Sequence, residues 1–551
     1  MSKFKITILF LLMLLLSVYL IFESKVLVAD NENQTNSQYL GIGLNFRVYP
    51  SGVHQTESFI TKDPLNSQVL FVGCNTLNPT TAFRSEGVYT STNGGANWFG
   101  SDTCKGSPIA FHQGDPGVAI DKNGTFILIR LGFPQGLYSH YSTDMGVTWS
   151  SQRTISSNPE DLDRGTLVSD GNSSSSFYGR SYVTWVRFSP PYPTFISYTD
   201  NITGNWSAPM QINNPPQRCQ GAEIAMAPNG VVSVCWARVT SSSPFTEDFT
   251  GFASSSNGGA NWTVNESAFD MNGIQGLLPQ KGNIRVNGLP RIDVDKTGGS
   301  HNGWIYIVTT QKNLAPAGSD PDIIMNRSTN GGQTWSAGVR VNQDALNNGK
   351  IQYFPVIHVD DSGGVNVLYY DDRNTASDSS GVFLSRSTDG GNTWNDFEMN
   401  DHNFKPTPIG GFGQGYQGDN IALTSTNNQL IPVWMDNSTG VYQLWTVIVD
   451  ISSLGIQQVG ELIPGKFTLK QNYPNPFNPS TTIRLEVPAR DFIELNVYDV
   501  SGKEIAKLVK QNLNAGVYDV TFDASGLPSG VYFYTLRSSE FVQTKKMVLV
   551  R

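Results

Sequence analysis

The sequence predicts an all-β protein, a seven-bladed β-propeller (six-bladed in the alternative) followed by a small C-terminal β-sandwich. Three observations carry that expectation. An eight-residue phrase of the form Ser/Thr-x-Asp/Asn-x-Gly-x-x-Trp recurs through most of the chain. Short apolar runs bounded by Gly, Pro, Asn and Asp fill the intervals between copies, as strands and turns require. After residue 465 the repeat has stopped and a proline-punctuated segment of different composition begins. At 551 residues the chain exceeds one ordinary domain unless it is a repeat array, and a ring of repeats resolves that tension.

In chain order, Lys3 and Lys5 precede an apolar run over 6–22, which reads as a secretory signal spanning 1–29 with a small-residue cleavage site near Ala29. An uncleaved anchor is the alternative, and no membrane span is expected once the signal is removed. Residues 30–40 form a polar linker. Charged residues make up only 15% and the net charge is −9, which suits a secreted β protein and argues against nucleic acid or an anionic membrane as partner. Cys74, Cys104, Cys219 and Cys235 are too few for a disulfide framework. Two local bridges, Cys74 to Cys104 and Cys219 to Cys235, and four buried thiols both stay open.

The repeated units occupy 41–450. Full copies of the phrase stand at 91–98, 142–149, 255–262, 328–335 and 387–394, with Asn93, Asp144, Asn257, Asn330 and Asp389 at the third position and Trp98, Trp149, Trp262, Trp335 and Trp394 at the last. A degraded copy at 199–206 keeps Asn201 and Trp206 but has its glycine one place late, at Gly204. Each residue type has a turn-making reason. Asp or Asn bonds the following backbone N–H groups, glycine takes an angle that a Cβ forbids, and tryptophan fastens the turn to an apolar layer. A further unit between 419 and 449 lacks the phrase and supplies three strands. The fourth is expected from the N-terminus, because 43–48 (GLNFRV) is like the strand 338–342 (GVRVN) that follows a tryptophan turn. Closure of that kind leaves no open edge.

The phrase resembles the Asp-box, or BNR repeat, of sialidases, other glycoside hydrolases and sortilin-like receptors. That resemblance implies a propeller in which the box joins the two outer strands of a blade, away from any active site. After a linker at 451–465, the stretch 467–483 (FTLKQNYPNPFNPSTTI), with 495–502, 527–534 and 545–549, resembles the C-terminal sorting domain of the type IX (Por) secretion system. It implies that 466–551 is an address read by the secretion machinery, and that the protein is secreted or attached to the outer-membrane surface. Period-two strands between Gly and Pro turns independently indicate a sandwich there.

Chemistry is expected where the unit openings face a central funnel. Those openings carry Glu57, Asp115, Asp163 with Arg164, Glu223, Arg291, Tyr353 and Asp419. Units aligned on their turns leave these residues one or two places out of register, and a slip of one turns a strand side chain to the other face. A non-catalytic propeller that binds extracellular glycan or protein is the first functional expectation. The alternative is a sialidase-like exo-glycosidase. By resemblance it would need an arginine cluster, for which Arg47, Arg291 and Arg373 are the candidates, with Asp115 as acid and Glu223 beside Tyr353 or Tyr370 as an activated pair. Glu57 and Asp419 complete the candidate ligand-binding set. Six histidines without an HExxH motif or close pair argue against a histidine zinc site, and no cofactor is expected beyond structural calcium at acidic turns such as 293–295 and 360–363.

Overall fold

The computed structural model describes residues 40–551 apart from 105–111, 158–161, 164, 243–244, 412, 460–462 and 525. The expected signal segment and nearly all of the polar linker lie outside the described residues. Apart from two 3-10 turns, Pro279–Lys281 and Ile451–Ser453, regular structure is strand throughout the described residues. No helix among them is long and apolar enough to cross a membrane.

Seven strands open successive antiparallel sheets: β1 (His54–Lys62), β2 (His112–Ile120), β3 (Thr166–Ser169), β4 (Arg218–Met226), β5 (Arg291–Val294), β6 (Gln352–Val359) and β7 (Ala422–Thr426). Each packs against the next, and β7 packs back on β1, so the openings form a closed ring of propeller type. In the last sheet the order is β7, Gln429–Asp436, Gln443–Thr446 and then Phe46–Arg47. Phe46 lies opposite Thr446 and Arg47 opposite Trp445, so the first strand among the described residues completes the last sheet, as its sequence suggested. Strands next to the ring are buried on both faces, because neighbouring sheets cover them. Every residue of Val365–Asp371 is buried, which explains its unbroken apolar and aromatic character.

All five full phrases fold as one turn. The opening serine hydroxyl accepts the glycine N–H at 2.8 Å in four of them, from Gly95, Gly146, Gly332 and Gly391, and at 2.9 Å from Gly259. The Asp or Asn carbonyl or carboxylate oxygen accepts the N–H four residues on, from Asn97, Thr148, Asn261, Thr334 and Thr393. Each turn follows the third strand of its sheet and leads to the fourth, which places it on the outer side of the ring. The degraded copy compensates differently, with Trp206 donating its indole N–H to Ser139 of the preceding sheet at 2.8 Å.

Past the ring, two four-stranded sheets enclose a separate apolar core that includes Ile483, Leu495, Val497, Tyr534 and Met547. One differs from expectation at its edge: Ile456–Gln458, inside the segment read as a linker, pairs with Gly516–Asp523. One isoleucine followed by two glutamines is too weak a signal to separate an edge strand from a linker. Cys74, Cys104, Cys219 and Cys235 are all buried free thiols, without the local bridges that their sequence spacing allowed.

Candidate functional site

The register problem seen in the sequence has a structural cause. β1, β2, β4 and β6 each carry a bulge, between Thr56 and Phe59, Gly114 and Gly117, Gln220 and Glu223, and Tyr353 and Val356. A residue inside each takes a positive φ: Glu57 (56°), Asp115 (53°), Gly221 (62°) and Phe354 (52°). A bulge re-aims a side chain that a regular strand would point elsewhere. Holding non-glycine residues in this region costs on the order of 1 kcal/mol each, and such strain concentrates at functional sites.

These bulges bring carboxylates to one cavity of about 750 Å3, lined by Glu57, Asp115, Asp163 and Asp419 among others. Asn75 fixes two of them: its amide donates to Glu57 Oε2 at 2.6 Å, while its carbonyl oxygen accepts the Asp115 N–H at 2.9 Å. Asn287 donates to Asp419 Oδ2 at 2.6 Å. Tyr416, also in the wall, is half-buried beside Glu57, and desolvation together with that charge pushes its phenol well above the usual range.

The rest of the wall is built largely from loops, with Arg218 at the start of β4. Phe188 and Phe245 flank the Arg218 guanidinium, each ring about 5.3 to 5.5 Å from it, a cation–π arrangement that holds all three at the rim. A short hairpin, Gly276–Leu278 paired with Ile284–Val286, adds Leu277 and Arg285. Its tip is anchored by Lys281, whose buried ammonium donates to Asp372 at 2.6 Å and to the Ser377 and Ser379 carbonyls at 2.7 Å. Behind this wall Glu247 is fully buried and its carboxyl accepts the Gly288 N–H at 2.8 Å. Burial raises its pKa to about 8, outweighing that hydrogen bond, so Glu247 is neutral at neutral pH. Gln220 Oε1, Gln275 Oε1 and Arg218 Nε, all on cavity-lining residues, are buried without a hydrogen-bond partner among the described residues.

The remaining sequence candidates do not join this cavity. Arg291 donates to Glu223 Oε2 at 2.7 Å and bonds Asn420, so the two form an ion pair deeper along the channel. Arg373 is bound between Asp371 and Asp396 within its own sheet, stacked 4.4 Å over Phe383. Arg47 sits on the outermost strand of the last sheet. The three arginines therefore do not converge. Tyr370 is fully buried, its hydroxyl donating to the Met435 carbonyl at 2.6 Å and its ring stacked on Tyr353. Burial pushes that phenol far up, and Glu223, expected to activate it, is instead paired with Arg291, so Tyr370 is placed as a core residue.

Among the described residues, one cluster combines metal-ligand atom types: Glu86, Cys104 and His112, all within 4.8 Å of one another. Glu86 pairs there with His112 and lies 3.9 Å from the buried Arg130, so its charge is already compensated. Asp360, in one of the turns considered for calcium, pairs with Arg386 and accepts the Ser362 and Gly364 N–H groups.

No curated protein matches the chain. Among solved structures, a protein of unknown function from Dyadobacter fermentans is 12% identical and aligns over 75% of this chain and 100% of its own, with a TM-score of 0.41. An α-L-arabinanase from Penicillium chrysogenum complexed with arabinobiose is 11% identical over 65% of this chain and 98% of its own, at 0.39. A sialidase from Streptococcus pneumoniae is 11% identical over 66% and 71%, at 0.41. Residues 471–550 match the family model of the secretion system C-terminal sorting domain. That match falls on the sandwich and agrees with the motifs read there. The C-terminal segment is thus a type IX secretion sorting domain, and the protein is one secreted or attached at the outer-membrane surface.

Proposed function

We propose that each sheet of the ring is one blade of a seven-bladed propeller, and that this propeller is a type IX cargo that binds a neutral or amine-bearing glycan outside the cell. The observation that carries this reading is the single cavity bordered by Glu57, Asp115, Asp163 and Asp419, with Phe188 and Phe245 at its rim. Sugar hydroxyls and ammonium groups donate to carboxylates, and the C–H face of a pyranose packs on an aromatic ring. A volume of about 750 Å3 has room for a short oligosaccharide. The partnerless oxygens of Gln220 and Gln275 are acceptors that a ligand's donors would satisfy.

Four carboxylates against the two guanidiniums of Arg218 and Arg285 leave an excess of negative charge around the cavity. An acidic sugar would meet repulsion. This, with the scattered arginines and buried Tyr370, supports a binding protein over a sialidase-like hydrolase.

The test is a glycan panel applied to the purified secreted chain, followed by calorimetric titration of the best ligand. Neutral or amino-sugar oligosaccharides should bind, and Asp115→Ala and Asp419→Ala should each weaken binding at least ~10-fold, about the loss of one charge-assisted hydrogen bond. Preferential capture of sialylated glycans, or release of sialic acid from them, would refute the reading.

A further inference from the structure

Along the channel, away from the acidic mouth, Arg291, Val356 and Leu423 line a small cavity of about 130 Å3. Two residues further along the same three strands stand Asp293, His358 and Ser425. None of β5, β6 and β7 has a register slip between these two levels. With a side-chain period of two, the second trio is the next layer of the same face.

Its members bond in series. Ser425 Oγ lies 2.9 Å from His358 Nε2, and His358 Nδ1 lies 3.2 Å from Asp293 Oδ2. The carboxylate is fixed by two backbone donors, Val359 N–H to Oδ2 at 2.9 Å and Val294 N–H to Oδ1 at 2.8 Å. Burial favours its neutral form, but Lys296, His358 and the Val359 amide outweigh that and hold the Asp293 carboxyl below the usual range. An ionised carboxylate only accepts, so Nδ1 carries a proton; in the neutral imidazole the Nε2 lone pair then faces the serine hydroxyl. One-fifth of the His358 side chain is solvent-accessible. At the end of β1, Lys62 pairs with the exposed Asp361 of the β6 turn at 3.0 Å. That ion pair, with the exposed Asp361, marks the solvent-facing end of these strands.

The geometry points to a second functional site at this end of the channel: Ser425 as a nucleophile, with His358 as its base and Asp293 as the positioning residue, hydrolysing small acyl esters. Serine, imidazole and carboxylate in this order, with these nitrogens, are what acyl transfer requires whatever the fold. Ser425 Oγ forms a bond to the acyl carbon as its proton moves to Nε2, and the alkoxy C–O bond breaks as that proton passes to the departing alcohol. Water then adds to the acyl carbon, giving its proton to Nε2. The Oγ–C bond breaks, the free acid leaves, and the proton returns to Ser425. Ser425 is only 2% exposed and the neighbouring cavity is small, which limits the acyl group to roughly acetyl size.

The experiment treats the full secreted chain with a fluorophosphonate probe and locates the adduct by peptide mass spectrometry, alongside hydrolysis of p-nitrophenyl acetate. The probe should attach to Ser425. S425A should abolish labelling and lower hydrolysis at least ~100-fold, and D293N should lower kcat at least ~10-fold with KM nearly unchanged. Labelling of the unmodified protein needs no variant, so an unstable S425A would not obscure the result. Absence of an adduct at Ser425 under conditions that label a reference serine esterase, or hydrolysis undiminished in S425A, overturns the proposal.

Discussion

Asp115 shows how the cavity is made and what it costs. Its φ of 53° is one that a side chain rarely adopts, and its N–H is fixed by Asn75. Glycine there would relieve strain worth about 1 kcal/mol while removing a carboxylate from the cavity. Asp115→Gly is expected to unfold at equal or higher urea concentration while binding glycan at least ~10-fold more weakly. A clear loss of stability with binding intact would mean that Asp115 serves the fold instead. The acids that line this cavity stand at the openings of repeated units, although bulges in β1 and β2 put Glu57 and Asp115 out of register with the others. Phe188 and Phe245 were not legible in the sequence, since they come from loops that no repeat constrains, and Arg218, at the start of β4, carries no motif that marks it. Tyr370 and Arg373 were misread for another reason: their chemical type fits a catalyst, but only burial and partners reveal that one fills a core and the other closes an ion-pair network.

At the scale of the element, the tryptophan turn contains two glycines with different tasks. Gly331 and Gly332 both have positive φ, at 72° and 87°. A Cβ on Gly331 would meet nothing within 4 Å, whereas one on Gly332 would lie 2.0 Å from Phe252 Cε1 in the preceding sheet. The second copy of the phrase confirms that the first position is permissive, because Met145 occupies it at φ 59°. Gly331→Ala should therefore cost about 1 kcal/mol, from backbone strain alone. Gly332→Ala adds a steric clash and should cost at least about 2 kcal/mol more, read as a larger fall in the urea midpoint. Equal effects would mean that the turn does not lock adjacent sheets together. The turn's form was readable from sequence, but which glycine touches the neighbouring sheet was not, because that contact is set by how the sheets pack.

For the whole molecule, the ring was legible from repetition and the seam from a missing strand; what no local pattern announced is how the seam is fastened. Asn45, one residue before the closing strand, donates its amide to the Met399 carbonyl at 2.8 Å and its backbone N–H to Asp401 Oδ2 at 3.2 Å. His402 bridges Asp401 at 2.7 Å and Asp436 at 3.2 Å and packs against Trp445, the residue opposite Arg47. Burial alone would lower the imidazole pKa, but hydrogen bonds and charge from the two aspartates outweigh it and raise the pKa to about 9. A folded-state pKa above the unfolded value of about 6.5 gives stability that is fully present below pH 6.5 and fades as pH rises to 9. Its size is on the order of 1 to 3 kcal/mol. Between those pH values the wild-type urea midpoint should fall, and His402→Gln should flatten that dependence while converging with wild type above pH 9. Because the bridge holds the seam, the alkaline change should appear first as increased amide exchange over residues 42–48 and 443–449, before the other sheets open. Uniform loosening of all the sheets would show instead that the ring does not open at the seam.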